Sequence, residues 1–236
     1  MEPTDASATH GSPTIRHAPR QTSWEPAGHG EADTLEAIDQ HIERHFGPVA
    51  FVWHELVSDL VHIDVYVVEP TESRPYFSLV TSGMSDRPMA VPTGAGITPY
   101  AELMMALPAD WPMTTEAFND ESTYWPIRTL KMVARLPHDY NTWIGAWHSV
   151  PNGDPAEPYA SDTPFVGVVV TPMVRCEADA RMIETEQGKQ ISLLALVPLH
   201  PAELDLKLAE GSSGLIGAFD GAAVSELFDP VRPSSV

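Results

Sequence analysis

The stretch His62-Ile63-Asp64-Val65-Tyr66-Val67-Val68-Glu69 alternates polar with apolar side chains. An extended backbone therefore puts His62, Asp64 and Tyr66 on one face and Ile63, Val65 and Val67 on the other. One face packs and the other is partly wet. The flanking runs, Val49 to Leu56 and Tyr76 to Ser82, have the same β-branched and aromatic character. Ser58-Asp59 and Pro70-Thr71-Glu72-Ser73-Arg74-Pro75 supply turn chemistry between the three. Together they predict a meander of three strands.

Working outward, Asp33 or Thr34 reads as the N-cap of a helix with Leu35, Ile38, Ile42 and Phe46 on its core stripe and Gly47-Pro48 as its stop. Further strands are expected over Tyr100 to Leu107, Phe165 to Thr171 and Gln190 to Val197. A second helix is expected from Pro126 to Leu136, with Ile127, Leu130, Val133 and Ala134 inward and Pro137 ending it. A third runs from Pro201 to Glu210 and ends at Gly211. His138 to Pro164 is either an ordered irregular loop or a set of short strand pieces. Strands and helices mix without strict alternation, which reads as α+β: a mostly antiparallel mixed sheet flanked by helices. Residues 1–31, poor in aliphatic side chains, read as a disordered tail, 32–228 as the domain, and 229–236 as a C-terminal tail.

Thirteen Lys plus Arg against 33 Asp plus Glu give a formal charge of −20. Such a field repels nucleic acid and anionic membranes and favours a basic or neutral partner. Cys176 is the only cysteine, so neither an internal disulfide nor a paired-cysteine zinc site can form, and a cytoplasmic location fits. No apolar run is long enough to span a bilayer.

Motifs that carry chemistry are sparse. His41 and His45 have helical ligand spacing but no third ligand, and the intervening glutamate sits in neither zinc-peptidase arrangement, so no metal is assigned and both are expected to flank the core stripe at the surface. Gly94-Ala95-Gly96 lacks the third glycine of a phosphate loop, and Ser85 lacks the closing glycine of a nucleophile elbow. Asp64, Glu69, Glu102 and Asp154 could converge as paired carboxylates, and His148 could pair with Asp154; a hydrolase on either pair is the alternative reading. Arg128, Lys131 and Arg135 form a cationic stripe at i, i+3 and i+7, either a secondary dock for an acidic ligand or an edge paired with local carboxylates.

Several segments resemble the suppressor of fused family. They are Leu79-Val80-Thr81-Ser82-Gly83-Met84-Ser85, Pro88-Met89, Ala101-Glu102-Leu103, Trp125-Pro126-Ile127-Arg128, Leu136-Pro137-His138-Asp139-Tyr140-Asn141-Thr142-Trp143, Trp147-His148-Ser149-Val150-Pro151-Asn152-Gly153-Asp154, Thr163-Pro164-Phe165 and Leu194-Ala195-Leu196-Val197-Pro198-Leu199. The resemblance runs in order from about Leu35 to about Phe219, and this chain looks like a bacterial-type single-domain member. It implies an α+β fold, no cofactor, and action by binding a protein or peptide. Animal members are two-domain regulators that sequester a zinc-finger transcription factor through a short extended peptide. Bacterial relatives have been proposed as immunity proteins that neutralise toxin domains. The expected partner surface is Trp143, Trp147, His148, Asn152 and Asp154. Tryptophan supplies large contact area at little entropic cost, though either indole could instead pack beneath the loop.

Overall fold

The computed structural model describes residues 15–17, 24–27, 30–56 and 58–236, so most of the expected N-terminal tail lies outside the described residues. Eight strands form one sheet in the order β1-β2-β3-β4-β8-β6-β5: β1 Val49–Trp53, β2 Asp64–Val68, β3 Tyr76–Ser82, β4 Ala101–Pro108, β5 Ser149–Pro151, β6 Gly167–Pro172 and β8 Gln190–Leu199. A short β7, Met182–Glu184, pairs with the first residues of β8. Among the described residues, every pairing between these strands is antiparallel except β4 with β8. The sheet is thus the mostly antiparallel mixed sheet expected, and the fold is α+β. β7 escaped the sequence reading because three residues are too few to carry a periodic signal.

Helices cover both faces. α2, Glu121–Asp139, packs Trp125, Ile127, Leu130, Val133 and Ala134 against Ile63, Val65, Val67, Leu79, Leu103, Met105, Val168 and Leu196. Strand residues of the opposite parity meet the other two helices. α1, Ala32–His45, lies over Val68, Val80, Met104, Leu193 and Ala195, while α3, Pro201–Ala222, lies over Val169, Val197 and Leu199. Ile63, Val65 and Val67 are fully buried, as the alternation in the opening stretch requires.

Several helix details differ from expectation. Thr34, not Leu35, is buried at the start of α1, where Lys189 Nζ donates to its hydroxyl at 3.1 Å, and Leu35 is left 37% exposed. His41 joins Ile38 and Ile42 in the buried stripe instead of flanking it, because its Nε2 finds the Ala180 carbonyl at 2.9 Å and so has a partner away from water. α2 starts earlier than Pro126, at an Asp120 N-cap that accepts from the Ser122 amide at 3.0 Å, and runs two residues past Pro137. At Gly211 (φ 75°) helical geometry breaks within α3, as expected, but a second helical piece continues to Ala222.

Residues 229–236 are tied to the domain by Arg232, which donates to Glu203 and to the Pro198 carbonyl, and by Ser235, which donates to Glu203. Among the described residues no helix is long and apolar enough to cross a membrane.

Candidate functional site

The segment from Trp143 to Asp154 leaves the end of α2 and reaches the terminal strand of the sheet. It joins β6 through a pair of backbone bonds: the Trp147 amide donates to the Val170 carbonyl at 2.6 Å, and the Val170 amide to the His148 carbonyl at 2.8 Å. β5 then pairs Ser149 with Val169 and Pro151 with Gly167, and no strand flanks its outer side among the described residues. Trp147 is held at φ 70°, and its indole packs against the cluster on the α3 face that contains Val166, Val169 and Leu199. Trp143 packs on the α2 side of the sheet. Both indoles are therefore half-buried, one on each side of the sheet's end.

His148 is half-buried beside Trp143, with ring centroids 4.4 Å apart. Burial and the Lys207 charge lower its pKa, partly offset by a bond to the Trp143 backbone, so the ring is held neutral at ordinary pH. Asp154 is exposed and its partner is Arg16, at 3.1 Å. The imidazole and the carboxylate thus face different neighbours. Asn152 spends its side chain on the carbonyls of Glu157 (2.8 Å) and Pro158 (3.2 Å), and its amide on Val166 (2.7 Å), so it shapes the loop that presents Asp154.

The cationic stripe of α2 faces the loop that joins β1 to β2. Lys131 Nζ donates to the Trp53 carbonyl at 3.0 Å, and Arg135 to the carbonyls of Asp59 and Val61, each at 3.0 Å, and to the Glu55 carboxylate. Arg128 pairs with Glu121 and reaches the Tyr159 carbonyl at 3.3 Å. These donors fasten one element to another, and burial lowers the pKa of Lys131.

Of the four expected carboxylates, Glu102 alone is fully buried. Its oxygens accept from Thr81 Oγ1 (2.6 Å), the Gly83 amide (3.0 Å), and the Ser85 amide and hydroxyl (2.9 and 2.7 Å). Gly83 is required here: φ is 117°, and a Cβ would sit 1.8 Å from the His62 carbonyl oxygen. The carboxylate beside Glu102 is Asp86, which the sequence reading did not single out. Its burial, reinforced by the Glu102 charge, pushes its pKa up to about 6. Gly30 closes over it, since a Cβ there would lie 2.6 Å from Asp86 Oδ1. Such a raised carboxyl favours the fold below its ordinary pKa, and that contribution is lost as pH rises through about 6. Asp86→Asn is accordingly expected to stabilise the protein by roughly 1–2 kcal/mol at pH 7.5 and to change little at pH 4, checked by urea denaturation at the two pH values.

Two surface cavities lie elsewhere. One, of about 460 Å³, is bounded by Pro108, Arg175, Leu227 and Asp229. The other, of about 380 Å³, is bounded by His41, His45, Asp179 and Glu184. Neither is lined by a residue of the 143–154 segment.

A third cluster was half legible. Asp64 Oδ2 lies 2.8 Å from His54 Nδ1 and Oδ1 lies 2.9 Å from His62 Nε2. That His62 and Asp64 share a face follows from alternation, but His54 joins them only through the β1–β2 register, in which Trp53 opposes Val65.

Comparison with known proteins agrees with this architecture. A family model described as "Suppressor of fused protein (SUFU)" matches residues 59–233. The crystal structure of a suppressor of fused homologue from Neisseria gonorrhoeae FA 1090 superposes with a TM-score of 0.60 at 16% identity, covering 86% of this chain and 95% of that one. A structure of the Sufu-Fu complex superposes with a TM-score of 0.58 at 13% identity, covering 86% and 92%. No curated protein matches the chain. With its sheet, its helical layers and most of its length matched, this chain belongs to the suppressor of fused family.

Proposed function

We propose that this protein works by binding another protein, through the Trp143 to Asp154 segment and the sheet edge that it forms. The observation that carries the reading is the position of β5 as the terminal strand, with a half-buried indole on each side of it. An edge strand offers backbone donors and acceptors to an extended peptide, and flanking aromatics supply the apolar anchors. Exposed Asp154 would meet a cationic group of the partner, displacing Arg16, an exchange that costs little because an exposed ion pair contributes about 0–1 kcal/mol. A partner from a complex such as Sufu-Fu is one precedent within the fold. The partner is a protein or peptide, with a toxin domain neutralised by this chain as immunity protein, or a regulator sequestered by it, as the two specific forms. The lone Cys176 suits a reducing cytoplasm.

The hydrolase alternative is less well supported. His148 stands by an indole and Asp154 by an arginine, while the acceptors of Glu102 are taken by four protein donors. Affinity capture from native lysate tests the binding reading. A stoichiometric partner held by the unaltered chain is expected to lose about tenfold or more in affinity with Trp147→Ala and less with Asp154→Ala. Equal retention by both variants would place the interface elsewhere.

A further inference from the structure

The wet face of the β1–β2 hairpin carries a second constellation, separate from the 143–154 segment. In the antiparallel register Val52 opposes Tyr66 and Trp53 opposes Val65, so His54, one residue on, falls opposite Asp64. His62 lies two residues before Asp64 and shares its face. The result is two imidazole nitrogens and a carboxylate with their ligating atoms all within 4.8 Å of one another. Asp64 is fixed from behind, because the Glu55 amide donates to its Oδ1 at 3.0 Å.

The hydrogen-bond chain behind His62 decides what belongs between it and Asp64. Glu55 accepts from Arg135, from the Ile63 amide and from the Ser58 hydroxyl. With these three donors on its oxygens, Glu55 serves the chain as an acceptor. The single Ser58 hydroxyl hydrogen is thereby committed to Glu55, at 2.7 Å. Ser58 Oγ, 2.8 Å from His62 Nδ1, must then accept the proton of that nitrogen. In the tautomer with the proton on Nδ1, His62 presents a bare Nε2 2.9 Å from Asp64 Oδ1. Two lone pairs at that separation repel unless a proton or a metal ion is shared between them. Metal-bound histidines commonly have this arrangement, the far N–H anchored to an acceptor and the near nitrogen facing the ion.

We propose that His54, His62 and Asp64 form a binding site for a divalent transition metal, of which zinc is the type, with at least one coordination position left open to solvent. Two imidazoles and one carboxylate make a donor set that zinc accepts in three-ligand sites, and imidazole disfavours magnesium and calcium. His54 is 67% exposed, so the fourth position faces outward. The formal charge of −20 raises the local concentration of cations around the whole molecule. Arg135 and Lys131 stand behind the loop as fasteners of Glu55 and of backbone carbonyls, and Glu55 offsets the nearer positive charge.

Titration of the full-length chain with zinc chloride, followed calorimetrically, provides the test, with cobalt(II) absorption in the visible as a report on ligand geometry. One equivalent is expected to bind. His62→Ala, His54→Ala and Asp64→Asn should each weaken zinc by more than about 100-fold, Ser58→Ala by about 10-fold, and His45→Ala should leave it unchanged. Zinc should also raise the thermal midpoint of the unaltered chain and not that of the three ligand variants, which separates loss of binding from loss of fold. Absence of saturable binding, or binding that survives all three ligand substitutions, would overturn the proposal.

Discussion

Replacing Glu102 by alanine is expected to remove roughly 3–5 kcal/mol of stability, among the largest effects of any single substitution in this protein. The side chain is fully buried, and its two oxygens collect four protein donors where β3 bends away into the Gly83 turn. Each donor stranded by the change costs about 1–3 kcal/mol, and the emptied volume adds a cavity term. Thr81 illustrates the dependence: its hydroxyl gives its hydrogen to Glu102 and accepts from the Leu103 amide at 2.8 Å, standing in for a ladder bond between the strands. Burial raises the Glu102 pKa, and the four hydrogen bonds offset only part of that rise. Glu102→Gln, which keeps an acceptor at the position serving Gly83 and Ser85, should therefore lose only about 1–2 kcal/mol. Chemical denaturation of the two variants checks both figures, and an alanine variant as stable as the parent would remove Glu102 from this role.

Arg232→Ala is expected to cost a similar amount, about 3–5 kcal/mol, because it would leave Glu203 as a buried charge without its counterion. The Glu203 side chain is fully buried and that of Arg232 only 11% exposed, with contacts at 2.5 and 2.7 Å. Removing the guanidinium also frees the Pro198 carbonyl, which it meets at 2.6 Å at the end of β8, and uncovers the Phe165 ring 5.1 Å away. Glu203 would retain the His200 amide and the Ser235 amide and hydroxyl, which are too few to replace a full positive charge. Thermal denaturation of Arg232→Ala, with Arg232→Lys as the intermediate case, checks this. Lysine keeps the charge but cannot span Glu203 and Pro198 at once.

The sheet was legible where burial imposes a period. β3 lies where Tyr76 to Ser82 was expected, and the expected core stripe of α2 is buried at all four positions, because one-sided packing writes itself into the spacing of apolar residues. Ends were less legible. Pro126 and Pro137 read as boundaries, yet both lie inside α2, since a nineteen-residue helix with a well-packed face tolerates the loss of two amide donors. The candidate binding segment was placed by family resemblance and not by any periodic signal, and its three-residue strand has none. Least legible were the polar hubs. The pairing of Glu203 with Arg232, the neighbourhood of Glu102 and Asp86, and the meeting of His54 with Asp64 each depend on three-dimensional register, which no local pattern encodes.

The parallel pairing of β4 with β8 has a consequence for how the chain acquires its shape. Strands β1 to β4 are assembled from residues 49–108 by neighbouring antiparallel turns, but among the described residues the other strands attach to them along Ala101–Met104 against Ser192–Ala195. β8 also serves β6 and β7 on its opposite border, so every later strand depends on its arrival. During synthesis at about 5–20 residues per second, the apolar border of β4 therefore waits several seconds without a neighbour, a window in which chaperones and intermolecular strand pairing compete for it.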